Sequence, residues 1–140
     1  MTDAAFVQDV IQRHSTGTVI HFAGLKAVDE SVAQPLKYYA NNLLGMVGLL
    51  QAMKPASCLT LVFSSSATIH GDPARLPTTE SFLRNHTNPY DHTKLIREDM
   101  LVALRVANPE WRVGKLRYIN PGGAHSSGKL AKIRPACPIN

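Results

Sequence analysis

Apolar positions along the chain alternate between helical and strand spacing. Over residues 3–14, Phe6, Val7, Val10 and Ile11 fall on one helical face, and Thr2 or Asp3 can cap the start. Residues 18–22 (Thr-Val-Ile-His-Phe) are β-rich and stop at Ala23 and Gly24, which predicts a strand feeding a loop. A long helix is expected from about 31 to 54, with Leu36, Tyr39, Leu43, Val47 and Leu50 at helical spacing, Pro35 in its first turn and Pro55 at its end. Residues 59–63 form a nearly continuous apolar run, the signature of a parallel strand buried on both faces, and Ser64, Ser65 and Ser66 lead out of it. Residues 71–88, rich in Pro, Thr and Asn, read as loop. A third helix is expected over 89 to about 107, with Leu95, Ile96, Leu101 and Leu104 inward. A third strand follows over 112–117, then a turn at Pro121, Gly122 and Gly123.

The order α-β-α-β-α-β, with helices long enough to cross over, predicts an α/β fold: a partial doubly wound domain with a three-stranded parallel sheet and right-handed connections. Ligands on such sheets sit beyond the carboxyl ends of the strands. Residues 23–26, 64–66 and 118–121 lie there. Residues 1–128 are expected to form this domain, and 129–140 a divergent tail.

Composition narrows the classes. The chain has 140 residues, 44% hydrophobic and 18% charged, which suits one globular domain rather than disorder. No apolar run reaches the roughly 18 residues of a membrane span, and no signal peptide is visible at the start, so neither a membrane partner nor secretion is expected. Cys58 and Cys137 match no metal spacing and read as free thiols of a reducing, cytoplasmic compartment; no metal is expected. Lys129, Lys132 and Arg134 account for much of the net charge of +5, and no aromatic residues interleave with a basic stripe, so no nucleic-acid partner is expected. His21 reads as a packed core histidine. The Met and Leu residues at 43, 44, 46, 49, 50 and 53 read as core or interface.

Candidate chemistry centres on Tyr90 and Lys94, four residues apart and so on one helical face. A free tyrosine, with a pKa of about 10, is mostly protonated at neutral pH, and a nearby ammonium favours its phenolate. Such a phenolate can take a proton from a substrate hydroxyl. Ser66, at a strand's carboxyl end, can relay or steady that proton. By itself Y-x-x-x-K fits a surface tyrosine beside a solvated lysine equally well.

Four segments carry more information. Residues 18–35 read TVIHFAGLKAVDESVAQP, 63–72 FSSSATIHGD, 88–94 NPYDHTK and 116–125 LRYINPGGAH. Together they resemble the extended short-chain dehydrogenase/reductase group, and within it the UDP-glucose 4-epimerases, over residues 3–128. HFAGLKAV is much the most specific of these phrases. The resemblance implies a Rossmann fold, NAD as cofactor, UDP-glucose and UDP-galactose as substrates, and a homodimer. The implied reaction oxidises C4 of the hexose, lets the 4-keto sugar turn over and returns the hydride to the other face. Tyr90 would be the base, Ser66 its hydroxyl partner, and Lys94 would bind the nicotinamide ribose and lower the tyrosine pKa. Phe22, Ala23, Gly24, Lys26, Asn41, Ser64 and Tyr118 would line the cofactor site, together with Tyr90 and Lys94, and Lys26 would lie near the pyrophosphate. Asn120, with Ser66 and Tyr90, would face the sugar nucleotide. Lys26 also reads as a loop lysine, Asn41 as a helix-face residue and Asn120 as a turn residue.

The departures matter as much. The 140 residues contain no G-x-x-G-x-x-G turn. They are expected to supply strands 4, 5 and 6 of the family sheet, as a piece truncated at both ends and inactive alone, with residues 18–22 as an unpaired apolar edge. His70, Ile119 and Gly122 stand where the family usually has Tyr, Phe and Val. Asp91 replaces a glycine beside Tyr90 and opposes ionisation of its phenol. Residues 131–140 depart from the family pattern altogether, which we read as a shifted reading frame or a gene-model error. Genomic DNA without an epimerase-like frame beyond this point would rule that out.

Overall fold

The computed structural model describes residues 3–71, 79, 80, 82–118 and 127. Helix α1 (Ala4–Arg13) begins where the Asp3 carboxylate accepts the Phe6 amide at 3.0 Å, and it buries Ile11. Strand β1 (Thr18–His21) follows. The single helix expected over 31–54 is instead α2 (Val28–Ala33), α3 (Pro35–Tyr39), a wide π-type turn (Ala40–Leu44) and α4 (Gly45–Met53). The break has a local cause. A proline ring disfavours helical backbone in the residue before it, and Gln34 sits at φ −134° and ψ 60°. Pro35 therefore opens a helix rather than lying in the first turn of one begun at Ser31. The wide turn then rotates the inward face. Tyr38, Asn42, Met46, Leu49 and Met53 are buried, whereas Leu36 is 81% exposed and Leu44 58%.

Strand β2 (Thr60–Ser66) leads into a 3-10 turn (Ala67–Ile69), then α5 (Pro89–Ala107) and β3 (Arg112–Tyr118). The sheet is parallel, in the order β1-β2-β3. Ile20, Val62 and Gly114 lie in one row, and Ser66 lies opposite Tyr118. The three serines thus belong to β2 rather than leaving it, because β3 runs alongside them. Among the described residues β2 is not buried on both faces. Helices α1, α4 and α5 pack on the face of Leu61 and Phe63, which join Ile11, Met46, Leu101 and Trp111 in the core. The opposite face carries Ile20, 58% exposed, and Leu116, 42% exposed.

Helix α5 starts at the Asn88 cap, whose side chain accepts the Asp91 amide at 3.0 Å, with Pro89 at its first position. Its inward face is mostly polar. Leu101 is buried as expected, but so are Asp91, Thr93, Lys94, Arg97 and Glu98, while Leu95, Ile96 and Leu104 are only half-buried. This face meets the serine-bearing end of β2 rather than its apolar start. There Glu98 accepts from Ser65 Oγ at 2.7 Å and from Arg117 at 3.0 and 2.7 Å. Among the described residues no helix is long and apolar enough to cross a membrane, and no group of three or more His, Cys, Asp or Glu could hold a metal ion.

Candidate active site

Ser66, Tyr90 and Lys94 meet beyond the carboxyl end of β2. Ser66 is the last residue of the strand, and its Oγ accepts from the Thr68 amide at 3.3 Å and from the Thr68 hydroxyl at 2.9 Å. It also stands near enough to the Tyr90 phenol to lower its pKa. Tyr90 stands in the first turn of α5, where its amide donates to Ser31 Oγ at 3.2 Å and ties α5 to α2. One helical turn on, the Lys94 ammonium donates to the Ser64 carbonyl at 2.6 Å. It lies 5.8 Å from the centre of the Tyr90 ring and 5.2 Å from that of Phe63.

The electrostatics refine the expected roles. Burial, and next the Asp91 carboxylate, push the Tyr90 phenol above its ordinary value, while Arg97 and the Ser66 hydroxyl pull it down. The chain's own groups thus raise this phenol rather than lower it. The opposition expected from Asp91 is found. Burial, helped by Arg97, lowers Lys94 to about 8.

A second group borders this centre. A cavity of about 380 Å³ is lined by His21, Ala23, Gly24, Leu25, Asn41, Gly45 and Arg97. Ala23, Gly24 and Asn41, for which a cofactor role was expected, are thus brought to one cavity. Phe22, 65% exposed, and Lys26, also exposed, belong to the same loop but do not line the cavity. Tyr118, 39% exposed, ends β3 beside Ser66. Asn120, Ile119, Gly122, the turn at 121–123 and the tail at 131–140 lie outside the described residues. His70 is buried, with Nε2 3.4 Å from Arg117 Nη1.

The loop after β1 is clipped in place by Asn42. Its side chain accepts the Leu25 amide at 2.9 Å, donates to the Leu25 carbonyl at 3.0 Å and donates to Thr93 Oγ1 at 3.1 Å. The clip leaves no room at Gly24, which has φ 152°. A Cβ there would meet Asn42 Oδ1 at 3.1 Å and Arg97 Nη1 at 3.3 Å. Gly24→Ala is expected to cost about 1–3 kcal/mol, read as a lowered denaturant midpoint with an unchanged m-value. An unchanged midpoint would mean that the loop relaxes freely.

Sequence reading missed two residues of this site, Asn42 and Arg97, and gave His21 only a core role. His21 is indeed buried and stacked on Phe63, with ring centres 5.9 Å apart, but it also lines the cavity. Burial, then Arg97 and Lys94, lower it to about 4. Arg97 was legible in principle, since it follows Lys94 by three residues and Tyr90 by seven and so shares their helical face.

The comparisons with known proteins agree with this fold. A family model described as GDP-mannose 4,6 dehydratase matches residues 1–130. The chain is 49% identical to a UDP-glucose 4-epimerase of Bacillus subtilis (strain 168) over 140 residues, all of this chain and 41% of that protein. It is 45% identical over 134 residues to a bifunctional UDP-glucose 4-epimerase and UDP-xylose 4-epimerase of Pisum sativum, which covers 96% of this chain and 38% of that one. Among solved structures it superposes on the UDP-glucose 4-epimerase of Bifidobacterium longum, in complex with NAD+ and UDP, with a TM-score of 0.87 at 48% identity. That match covers 92% of this chain and 39% of the other. The corresponding enzyme of Stenotrophomonas maltophila, with bound NAD and formylated UDP-arabinopyranose, gives a TM-score of 0.90 at 37% identity over 99% of this chain and 41% of that one. The chain thus spans about two fifths of the length of these relatives. With a Rossmann-type parallel sheet and a serine, tyrosine and lysine gathered at its carboxyl edge, the chain belongs to the GDP-mannose 4,6 dehydratase family and is similar along its length to UDP-glucose 4-epimerases.

Proposed function

We propose that this chain carries the proton-transfer centre and part of the cofactor site of an NAD-dependent UDP-glucose 4-epimerase. The observation that carries the reading is the gathering of Ser66, Tyr90 and Lys94 at the carboxyl end of β2, with the Lys94 ammonium 5.8 Å from the centre of the Tyr90 ring. The residues present fit a dinucleotide on one side. Ala23, Gly24 and Asn41 line the cavity, and buried His21 Nε2 and Arg97 Nη1 have no hydrogen-bond partner among the described residues. NAD, when bound, supplies the hydride acceptor and donor for C4 of the hexose. The Tyr90 oxygen holds the position to take the proton of the sugar 4-hydroxyl and give it back. Ser66 Oγ, fixed by Thr68, shares that proton and sets its direction. Lys94, held by the Ser64 carbonyl, presents a cation beside the phenol ring that favours the phenolate as the proton moves. Cys58 takes no part: it is buried in the core, and burial raises its thiol, which suits an inert cysteine of a reducing, cytoplasmic protein.

NAD titrated into the purified chain and followed by calorimetry tests this reading. Binding tighter than about millimolar, ~4 kcal/mol, is expected. No heat at millimolar NAD would limit the epimerase reading to ancestry. A second reading rests on β1, which lies at the edge of the described sheet with Ile20 and Phe22 exposed beside it. On that reading the chain acts by pairing with another chain, a full-length epimerase or a second copy, and a lone monomer by light scattering after size exclusion would exclude it.

A further inference from the structure

His21, Lys94 and Arg97 surround the ring of Phe63. His21 stacks on it, the Lys94 ammonium lies 5.2 Å from its centre, and the Arg97 guanidinium carbon 5.7 Å. All three side chains are more than nine-tenths buried. No ion pair among the described residues involves Lys94 or Arg97. The nearby buried carboxylate, Glu98, is taken by Arg117, Lys115 and Ser65. Among the described residues Arg97 has one acceptor, the Asn42 carbonyl, which its Nε reaches at 2.7 Å. The outer end of the fork reaches the cavity beneath Gly24, and Arg97 Nη1 has no partner there among the described residues. Among the same residues His21 Nε2, on this cavity, has no partner either.

A buried guanidinium without a counter-ion is costly, and the cost is offset when an anion enters. The planar fork suits two oxygens of one phosphate. A hydroxyl or carbonyl ligand would satisfy the hydrogen bonds but leave the charge uncompensated. The wall of the cavity formed by Ala23, Gly24 and Leu25 is backbone and small or apolar side chains, so it repels no anion.

We infer that Arg97 is a phosphate-binding residue, whose free guanidinium edge takes a diphosphate oxygen of the bound dinucleotide in the cavity between β1 and α5. This rests on the NAD reading above and adds to it a residue outside the Ser66, Tyr90 and Lys94 group. Arg97 touches no reacting atom in this role. It fixes the diphosphate, and through it the position of the rest of the ligand.

The test compares the unmodified chain with Arg97→Met and Arg97→Lys, using calorimetry with inorganic pyrophosphate, NAD and UDP, together with thermal unfolding. The unmodified chain is expected to bind pyrophosphate, more weakly at higher salt. Arg97→Met is expected to weaken pyrophosphate and NAD at least about tenfold, with Arg97→Lys between the two, because lysine keeps the charge and loses the fork. Without ligand, Arg97→Met is expected to melt at or above the temperature of the unmodified chain, since it removes an uncompensated buried charge. A purely structural arginine would instead melt lower on substitution, with no change in pyrophosphate affinity in the lysine variant. No pyrophosphate binding by the unmodified chain, or equal binding by Arg97→Met, overturns the inference. Pyrophosphate binding that depends on Arg97 without NAD binding keeps the phosphate seat and removes the NAD reading. If UDP rather than NAD shows the tenfold dependence, the diphosphate belongs to the sugar nucleotide and the dinucleotide assignment falls.

Discussion

Tyr90→Phe is expected to lower 4-epimerisation of UDP-galactose by about 10²–10⁴-fold, the range removed with a positioned proton-transfer group, while leaving NAD affinity within about twofold. The split follows from the geometry. Removing the hydroxyl deletes the group that would carry the proton but keeps the ring and the amide bond to Ser31 Oγ that docks α5 on α2. The measurement is a coupled assay of UDP-glucose formation on the assembly that contains this chain, with calorimetry as the control. Because burial and Asp91 raise the phenol, the rate is expected to climb with pH on the alkaline side. Asp91→Asn is expected to move that limb to lower pH by removing a neighbouring negative charge. Asparagine can still accept from Thr87 and Asn88, as the carboxylate does, so the helix start should hold. A Tyr90→Phe variant with full turnover, or a limb that Asp91→Asn does not move, would sink the assignment of Tyr90 as the base.

Stability is expected to fall in two steps as the pH drops, each worth roughly 3 kcal/mol. The first belongs to His21. Its folded value of about 4 lies below the ordinary 6.5, because burial and the Arg97 and Lys94 charges oppose a proton there. Between those values the unfolded chain binds a proton that the folded chain does not, so stability present above about 6.5 is lost towards 4. The second step belongs to Glu98. Burial acts to raise this carboxyl, but hydrogen bonds from Arg117 and Ser65 and the Arg117 and Lys115 charges hold it at about 2, below the ordinary 4.5. Stability from the ionised Glu98 is therefore complete above about 4.5 and is lost as the pH falls to 2. Urea midpoints from pH 7.5 to 3 would measure both steps. His21→Leu should flatten the upper step alone, and Glu98→Gln should flatten the lower step while costing about 3 kcal/mol near neutrality. A midpoint constant from pH 7 to 5 in the unmodified chain would refute the account of His21.

Local spacing and motif determined much of this protein by themselves. Three apolar runs separated by helical periods specified a parallel α/β sheet. The third helix began at Pro89 as expected, because proline suits the first position of a helix. HFAGLKAV and the Tyr90-to-Lys94 spacing pointed to the candidate site, because a motif is a local property. Other features depended on what lies across the fold. The long helix broke at Gln34 and turned wide at Ala40–Leu44, so its buried face ran through Tyr38, Asn42 and Met46 rather than Leu36 and Leu43. Proline signalled the break, but no local pattern signals a π-type turn, whose gain is the docking of Asn42 on the loop after β1. The inner face of α5 was largely polar because it met the serines of β2, so hydrophobic spacing found Leu101 and Leu104 against the core but missed buried Thr93, Lys94, Arg97 and Glu98. Arg97 looked like an ordinary helix arginine until tertiary packing buried it against Phe63 and left one edge of its fork open to the cavity. Burial and the identity of the partner set the charge behaviour of His21, Tyr90, Lys94 and Glu98, and residues dozens of positions away supply both.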